Sequence, residues 1–270
     1  MTHAASELWQ YRGLIGNFAQ RELKGKYRGS TLGWAWSLLN PLATLGIYTL
    51  VFGFFIRFRP PVAGNGRLDA FAVYLFTALV VWNFFFTIAT GSMAALIGAG
   101  PLLRKIYFPP YVPVAGSAIA VVTQTGIELA LLLAVFLAVG NISWTIVLLP
   151  VLLVLLAAFS LGVGLVLAIL NARFRDVNYL VSVSLNLLFY ASPIIYPITF
   201  VTDRYGKYPW LRLYEYNPVT AFVEAFRDVL YDLRLPSAGR LGYLGVVSAA
   251  VLVLGWTYFR RASLDVSEEL

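Results

Sequence analysis

The sequence predicts an all-α integral membrane protein of about six transmembrane helices, and three observations lead there. Hydrophobic residues make up 60% of the chain and charged residues only 12%, with a mean hydropathy of +0.77. A soluble domain is nearer half apolar and a quarter charged. The apolar residues also fall in long runs rather than in the short amphipathic patterns of globular helices. Finally, a backbone in lipid must satisfy its own hydrogen bonds, so runs of this kind are buried as helices and not as open sheets.

A hydrocarbon core about 30 Å thick needs roughly 20 apolar residues in a helix, which places spans at residues 34–56, 70–92, 113–139, 143–170, 178–200 and 239–258. Gly140 and Asn141 leave only a tight turn between the third and fourth spans, which makes those helices antiparallel neighbours. One membrane domain over 34–258 is expected, preceded by a cytoplasmic or interfacial segment over 1–33 and followed by a cytoplasmic tail over 259–270. The first segment carries Glu7 and Glu22 and lacks the apolar core of a signal peptide, so no cleavage is expected. Within it, Tyr11, Leu14, Ile15 and Phe18 recur at helical spacing, with Gln20, Arg21 and Lys24 on other faces. That pattern predicts an interfacial amphipathic helix, and the same periodicity suits a helix packed on a partner. Residues 201–238 are too polar to cross as a whole. Their apolar stretch, 219–231, is interrupted by Glu224, Arg227 and Asp228 and suits a short re-entrant or interfacial helix. Asn217 fits its N-cap and Pro218 its first turn.

The formal net charge is +7. Because the cations lie beside apolar runs, they suit lipid headgroups and topology control better than nucleic acid. An even number of spans puts both termini on one side. Arg12, Arg21, Lys24, Lys26 and Arg28 precede the first span, Arg104 and Lys105 follow the second, Arg173 and Arg175 the fourth, and Arg260 and Arg261 the last. That side is expected to be cytoplasmic in an inner (plasma) membrane. The opposing loops carry nearly as many cations, so the cluster before the first span decides the orientation.

Chemistry-bearing residues are sparse. Cysteine is absent and His3 is the single histidine, which argues against metal or thiolate chemistry and leaves no catalytic residue to name. Gly25-Lys26 is followed by Tyr27 and lacks the spacing of a phosphate-binding loop. No cofactor is therefore expected on this chain, and any ATP-driven work would need a separate polypeptide. Glu128 is the acidic residue set deepest in a predicted span, with Thr123, Gln124 and Thr125 about one turn away. Gln124 and Glu128 are candidates for a polar site in a channel, or equally for hydrogen bonds that hold helices together. Trp36, Trp82, Phe84, Phe85, Phe86, Phe189, Tyr190 and Tyr196 enrich the chain in aromatics. Near span ends such residues ordinarily anchor at the interface.

The segment Arg21-Glu22-Leu23-Lys24-Gly25-Lys26-Tyr27-Arg28-Gly29-Ser30-Thr31-Leu32-Gly33-Trp34-Ala35-Trp36, followed by Leu39-Asn40-Pro41, closely resembles permeases of the ABC type-2 polysaccharide exporters. These serve O-antigen, teichoic acid, capsule and cell-wall galactan pathways. The resemblance continues in Leu103-Arg104-Lys105-Ile106-Tyr107-Phe108-Pro109, Asn171-Ala172-Arg173-Phe174-Arg175-Asp176-Val177, Ser192-Pro193-Ile194-Ile195-Tyr196-Pro197 and Tyr216-Asn217-Pro218. It implies a homodimer working with two copies of a cytoplasmic ATPase that holds ATP and Mg2+, exporting a glycan linked to a polyprenyl diphosphate. It also implies coupling to the ATPase through a short helix at 101–110, including Leu103, Arg104, Lys105, Tyr107 and Phe108. A second contact would fall at Arg173, Arg175 and Asp176, with short periplasmic re-entrant helices between the fifth and sixth spans. Arg21, Lys24, Lys26 and Arg28, with the turn through Ser30, Leu32 and Gly33, would receive the diphosphate, where arginine offers bidentate and lysine point-charge contacts. The same cations also serve topology and bulk attraction to anionic lipid. Two other readings compete: a type-2 permease for a small drug or lipid, and a membrane glycosyl- or phosphotransferase. The scattered acidic residues argue against the enzyme, which would need them clustered for metal and general-base work.

Overall fold

The computed structural model describes residues 9–26, 29–57, 60–174, 176–205, 208 and 214–269. His3, Glu7, Arg28 and Arg175 lie outside the described residues. Regular structure among the described residues is helical. Helix α1 is Arg12–Lys26. Helix α2, Trp36–Tyr48, runs on through a wider π-turn at Thr49–Phe55. Then come α3 (Phe71–Leu103), α4 (Tyr111–Ala138), α5 (Leu149–Arg173), α6 (Val177–Tyr190), α7 (Thr199–Tyr205), α8 (Pro218–Leu230) and α9 (Ala238–Glu269).

Among the described residues, five helical stretches are long and apolar enough to cross a membrane: Trp36–Phe55, Phe71–Leu103, Tyr111–Ala138, Trp144–Arg173 and Ala238–Ser263. They match the first four and the last of the spans read from the sequence. The second is longer than expected. Its 33 residues extend about 50 Å at 1.5 Å per residue, so its last turns project beyond the hydrocarbon core. The fifth expected span differs. Helix α6 has 14 residues, about 21 Å and too short to cross alone. The chain then turns over 191–198 before α7 begins. Pro193 and Pro197 explain the break, since neither can donate a helical hydrogen bond and each disfavours helix in the residue before it.

Close approach of backbones sets the bundle. In α5, a Cβ on Gly162 would lie 2.6 Å from the Val251 backbone of α9, and one on Gly164 would collide with Ser92 of α3. Small residues are what allow helices to pack where lipid offers no hydrophobic drive between them. Of the most apolar stretch of α3, 83% is buried inside the chain, against 6% for α2. Helix α3 is thus the axis, and α2 stands at the rim.

Helix α8 is the short helix expected between the last two spans, too short at 13 residues to cross alone. Asn217 caps it, its side chain accepting from the Val219 amide at 3.0 Å, and Pro218 opens the first turn, as the sequence indicated. At its other end Asn141 donates to the Leu230 and Tyr231 carbonyls at 2.9 and 3.1 Å, and Thr145 to the Val229 carbonyl at 2.9 Å. The tight turn at Gly140, with φ 68°, delivers those two side chains. Along its length α8 buries Glu224, Arg227 and Asp228. Arg227 donates to the carbonyls of Pro193 and Ile194 at 2.6 and 2.9 Å and to Glu224 at 3.1 Å, and its guanidinium stacks 3.7 Å from the Tyr74 ring centroid. Asp228 pairs with Arg234 at 2.6 Å and with Arg240 at the start of α9. Burial pushes the nearby Asp232 carboxyl up to about 6 against the pull of Arg234.

Replacing Arg227 tests this anchor. Arg227→Leu strands Glu224 and two carbonyls in a dry site and should destabilise the fold by about 3–5 kcal/mol. Glu224→Gln, which keeps an acceptor for the guanidinium, should cost distinctly less. Thermal unfolding of the detergent-solubilised protein measures both, and an unchanged midpoint for Arg227→Leu would contradict the assignment.

Candidate polar cavity and docking loop

Helix α1 carries the basic segment and packs on α4. A Cβ on Gly116 would come within 2.5 Å of Phe18 and 3.0 Å of the Ile15 carbonyl, so only glycine admits α1 this closely. Ile15 and Ala19 are buried in that crossing, and Phe18 meets Phe108 with ring centroids 5.8 Å apart. Of the two readings of its apolar periodicity, packing on protein describes these residues, and the partner is the same chain. The other face keeps Arg21, Lys24 and Lys26 exposed.

Those cations, with Glu22 between them, line a half-open cavity of about 990 Å3 bounded by α1, α3 and α4. Its other walls are Asn83, Thr87 and Gly91 from α3, and Ser117, Ala120, Val121, Gln124, Thr125 and Glu128 from α4. Two groups that the sequence offered separately, the basic residues Arg21, Lys24 and Lys26 and the intramembrane pair Gln124 and Glu128, therefore share one space. Gln124 hydrogen-bonds the Glu128 side chain, and Lys26 is close enough to act on that carboxyl electrostatically. Gln124 also donates to the Ser37 carbonyl of α2 at 3.4 Å. Thr123 takes no part; it is exposed and donates to the Ile119 carbonyl.

The turn after α1 sits elsewhere. Ser30 accepts a hydrogen bond from the Trp36 indole at 3.0 Å, Leu32 is exposed, and Gly33 adopts a φ of 48°. This turn redirects the chain into α2, and none of the three lines the cavity. Sequence reading missed Asn83, Thr87, Gly91 and Ser117. The signal was present: Asn83, Thr87 and Gly91 recur every four residues, a polar and small stripe on one face of an otherwise apolar helix.

At the same end of the bundle, α3 gives way after Leu103 to an exposed loop. Arg104, Lys105 and Ile106 are exposed and Tyr107 is 94% exposed, while Phe108 is buried at 4% against α1 and α4. Leu103 is half-buried. The adjoining sequence-predicted contact begins with Arg173, exposed at the end of α5, and continues through Asp176, exposed before α6. Among the aromatics, Trp82, Phe84 and Phe85 are core residues, and Trp82 packs on Phe189 at 5.3 Å.

The family model described as ABC-2 type transporter matches residues 14–231. The chain is 32% identical over 271 residues to the O-antigen export system permease protein RfbA of Myxococcus xanthus, covering 100% of both chains. It is 26% identical over 267 residues to the O-antigen export system permease protein RfbA of Klebsiella pneumoniae, covering 95% of each. With the polysialic acid transport protein KpsM of Escherichia coli it shares 24% identity over 246 residues, 89% of this chain and 90% of that one.

The α1–α4 crossing can be opened deliberately, because the chain contains no cysteine of its own. A single cysteine at Ile15 should react slowly with a maleimide in the native background. Adding Gly116→Val should lift α1 at a cost of about 1–3 kcal/mol and raise the labelling rate roughly tenfold or more. Equal rates in both backgrounds would show that Gly116 does not hold α1 in place.

Proposed function

Because the chain belongs to the ABC-2 type transporter family, we propose that it is the membrane-spanning permease subunit of an ATP-driven polysaccharide exporter. Its cargo is a glycan joined to a polyprenyl diphosphate, moved from the cytoplasm across the inner membrane. The chain is a multi-pass membrane protein; in this reading α6 and the turn after it complete a sixth crossing, so both termini face the cytoplasm, which puts α1 and the 104–107 loop there. Two copies of the chain form the channel. Two copies of a separate ATPase hold the ATP and Mg2+, in keeping with the absence of a phosphate-binding loop from the sequence.

The observation that carries this reading is the cavity whose basic end is Arg21, Lys24 and Lys26. A polyprenyl diphosphate holds its charge at headgroup depth, where an interfacial helix leading into the first span presents its cations. Arg21 supplies a planar fork for paired phosphate oxygens, and the lysines supply compact charge. The facing walls intersperse the polar side chains of Asn83, Thr87, Ser117, Gln124 and Glu128 among apolar ones, which gives a hydrophilic polymer groups to bind.

Topology and bulk lipid attraction depend on charge, whereas recognition depends on geometry, so a charge-retaining change separates them. Arg21→Lys, alone and with Lys24→Arg, should insert normally while export falls about tenfold or more. Surface glycan and membrane-fraction protein are measured in parallel. Full export by both variants would remove the diphosphate site from α1.

The exposed loop is the surface offered to the ATPase. Tyr107 projects into solvent with Arg104, Lys105 and Ile106 around it, an aromatic anchor with a charged rim. Arg173 and Asp176 extend that surface. Tyr107→Ala should weaken ATPase docking by about 2 kcal/mol and uncouple hydrolysis from export. Phe108→Ala should instead loosen the seat of α1. Normal recovery of the complex and normal coupling with Tyr107→Ala would reject this surface.

A further inference from the structure

Helix α3 is buried on nearly every side, yet Asn83 and Thr87, one turn apart in its middle, are exposed. Both line the cavity. Other hydroxyls on the helix are already engaged: Thr77, Thr90 and Ser92 donate to the carbonyls of Val73, Phe86 and Ile88 at 2.9, 2.8 and 2.6 Å. Among the described residues, neither the Asn83 amide nor the Thr87 hydroxyl is given a hydrogen-bond partner. Two polar groups placed at the depth of a spanning helix and left open to a cavity are costly unless something there binds them.

The facing wall comes from α4, which adds the Ser117 hydroxyl and the side chains of Gln124 and Glu128. Small residues keep the space between the walls open; a Cβ on Gly91 would already stand 3.2 Å from the Ser117 hydroxyl. A volume of about 990 Å3 is at the upper end of ligand pockets, roughly 300–1,000 Å3, and much more than a diphosphate fills. Its lining sets the α1 cations, with Glu22 among them, against α3 and α4 walls whose polar groups are amides and hydroxyls together with the Glu128 carboxyl. A phosphate would call for cations throughout and a lipid tail for hydrocarbon. Amides and hydroxyls on two facing walls match a ring of hydroxyls, each of which donates and accepts.

We propose that Asn83 and Thr87 bind the sugar joined directly to the diphosphate, and so determine which lipid-linked glycan the cavity accepts. This rests on the diphosphate reading of Arg21, Lys24 and Lys26 and adds a second requirement to it. With the diphosphate held at the α1 end, the first sugar falls between α3 and α4. Hydrogen bonds to a polyol discriminate sharply, because a poorly matched sugar leaves buried partners unpaired. Lipid attachment would then be read by α1 and sugar identity by α3.

The test uses the full-length chain with its ATPase in nanodiscs and titrates three probes: a short-chain polyprenyl diphosphate, the same compound carrying one hexose, and the same compound carrying one N-acetylhexosamine. At least one glycosylated probe should bind the native chain about tenfold more tightly than the bare diphosphate. Asn83→Leu with Thr87→Val should erase that preference and leave the bare diphosphate within about twofold of native, which also reports that the variant is folded. Should the pair fail to fold, the near-isosteric Thr87→Val alone carries the test, with the preference reduced about threefold. If the bare compound binds but neither sugar improves on it, or if the preference survives the substitutions, the proposal is overturned. If the bare compound does not bind the native chain, the diphosphate reading beneath it fails instead.

Discussion

Arg227 brings a guanidinium to a place 1% exposed, and much of the α8 end of the bundle is arranged to make that tolerable. A lone buried cation costs several kcal/mol even after the protein relaxes, so it persists only where charge and hydrogen bonds surround it. Glu224 lies one turn back on the same helix, and the Tyr74 ring offers its negative face. The remaining partners are backbone carbonyls released where Pro193 breaks the chain after α6. A helix broken near lipid leaves carbonyls that need a donor, and Arg227 supplies one without water. One side chain thereby ties together the short helix α8, a broken span and the start of the central helix α3.

The rest of the bundle is built on a different constraint, the absence of side chains. Gly116 admits α1 to α4, while Gly162 and Gly164 let α5 approach α9 and α3. In lipid these contacts replace the hydrophobic drive of a soluble core. They also place the cavity. With α1 against α4, the basic turn of α1 joins α3 and α4 in lining one half-open cavity.

Much of this was legible in the sequence because hydropathy and spacing report it directly. Long apolar runs located five crossing helices, and Asn217-Pro218 marked the start of α8. That the fifth span is not one continuous helix was missed because a hydropathy window weighs composition and is blind to what Pro193 and Pro197 do to helical hydrogen bonding. Arg227 looked like an interruption in an apolar run; its partners come from residues some 34 positions away, which no local pattern discloses. Arg21 and Glu128 were each singled out, but that they face one cavity depends on the crossing at Gly116. A glycine's value there is invisible until the helix it admits is known. Asn83 and Thr87 were the signal within reach, since two polar residues one turn apart in an apolar helix already ask what lies opposite.

The docking loop and the cavity are joined by a short physical route. Tyr107 stands in solvent, and its neighbour Phe108 is buried against Phe18 of α1. Helix α1 continues from Phe18 through Arg21 to Lys24 and Lys26, the charged end of the cavity. A partner that shifts Tyr107 acts on a loop whose next residue is packed on that helix, and a tightly packed contact passes on displacement rather than absorbing it. Arg21 lies close to the same junction, its guanidinium 5.9 Å from the Phe18 ring. The cations proposed to hold the diphosphate are thus mounted on the element nearest to the proposed ATPase contact. The groups proposed to read the sugar sit on α3, whose position is fixed by α5 through Gly164 and by Arg227 through Tyr74. In this arrangement the proposed grip on charge can be changed from the Tyr107 loop while the frame proposed to test the sugar stays still.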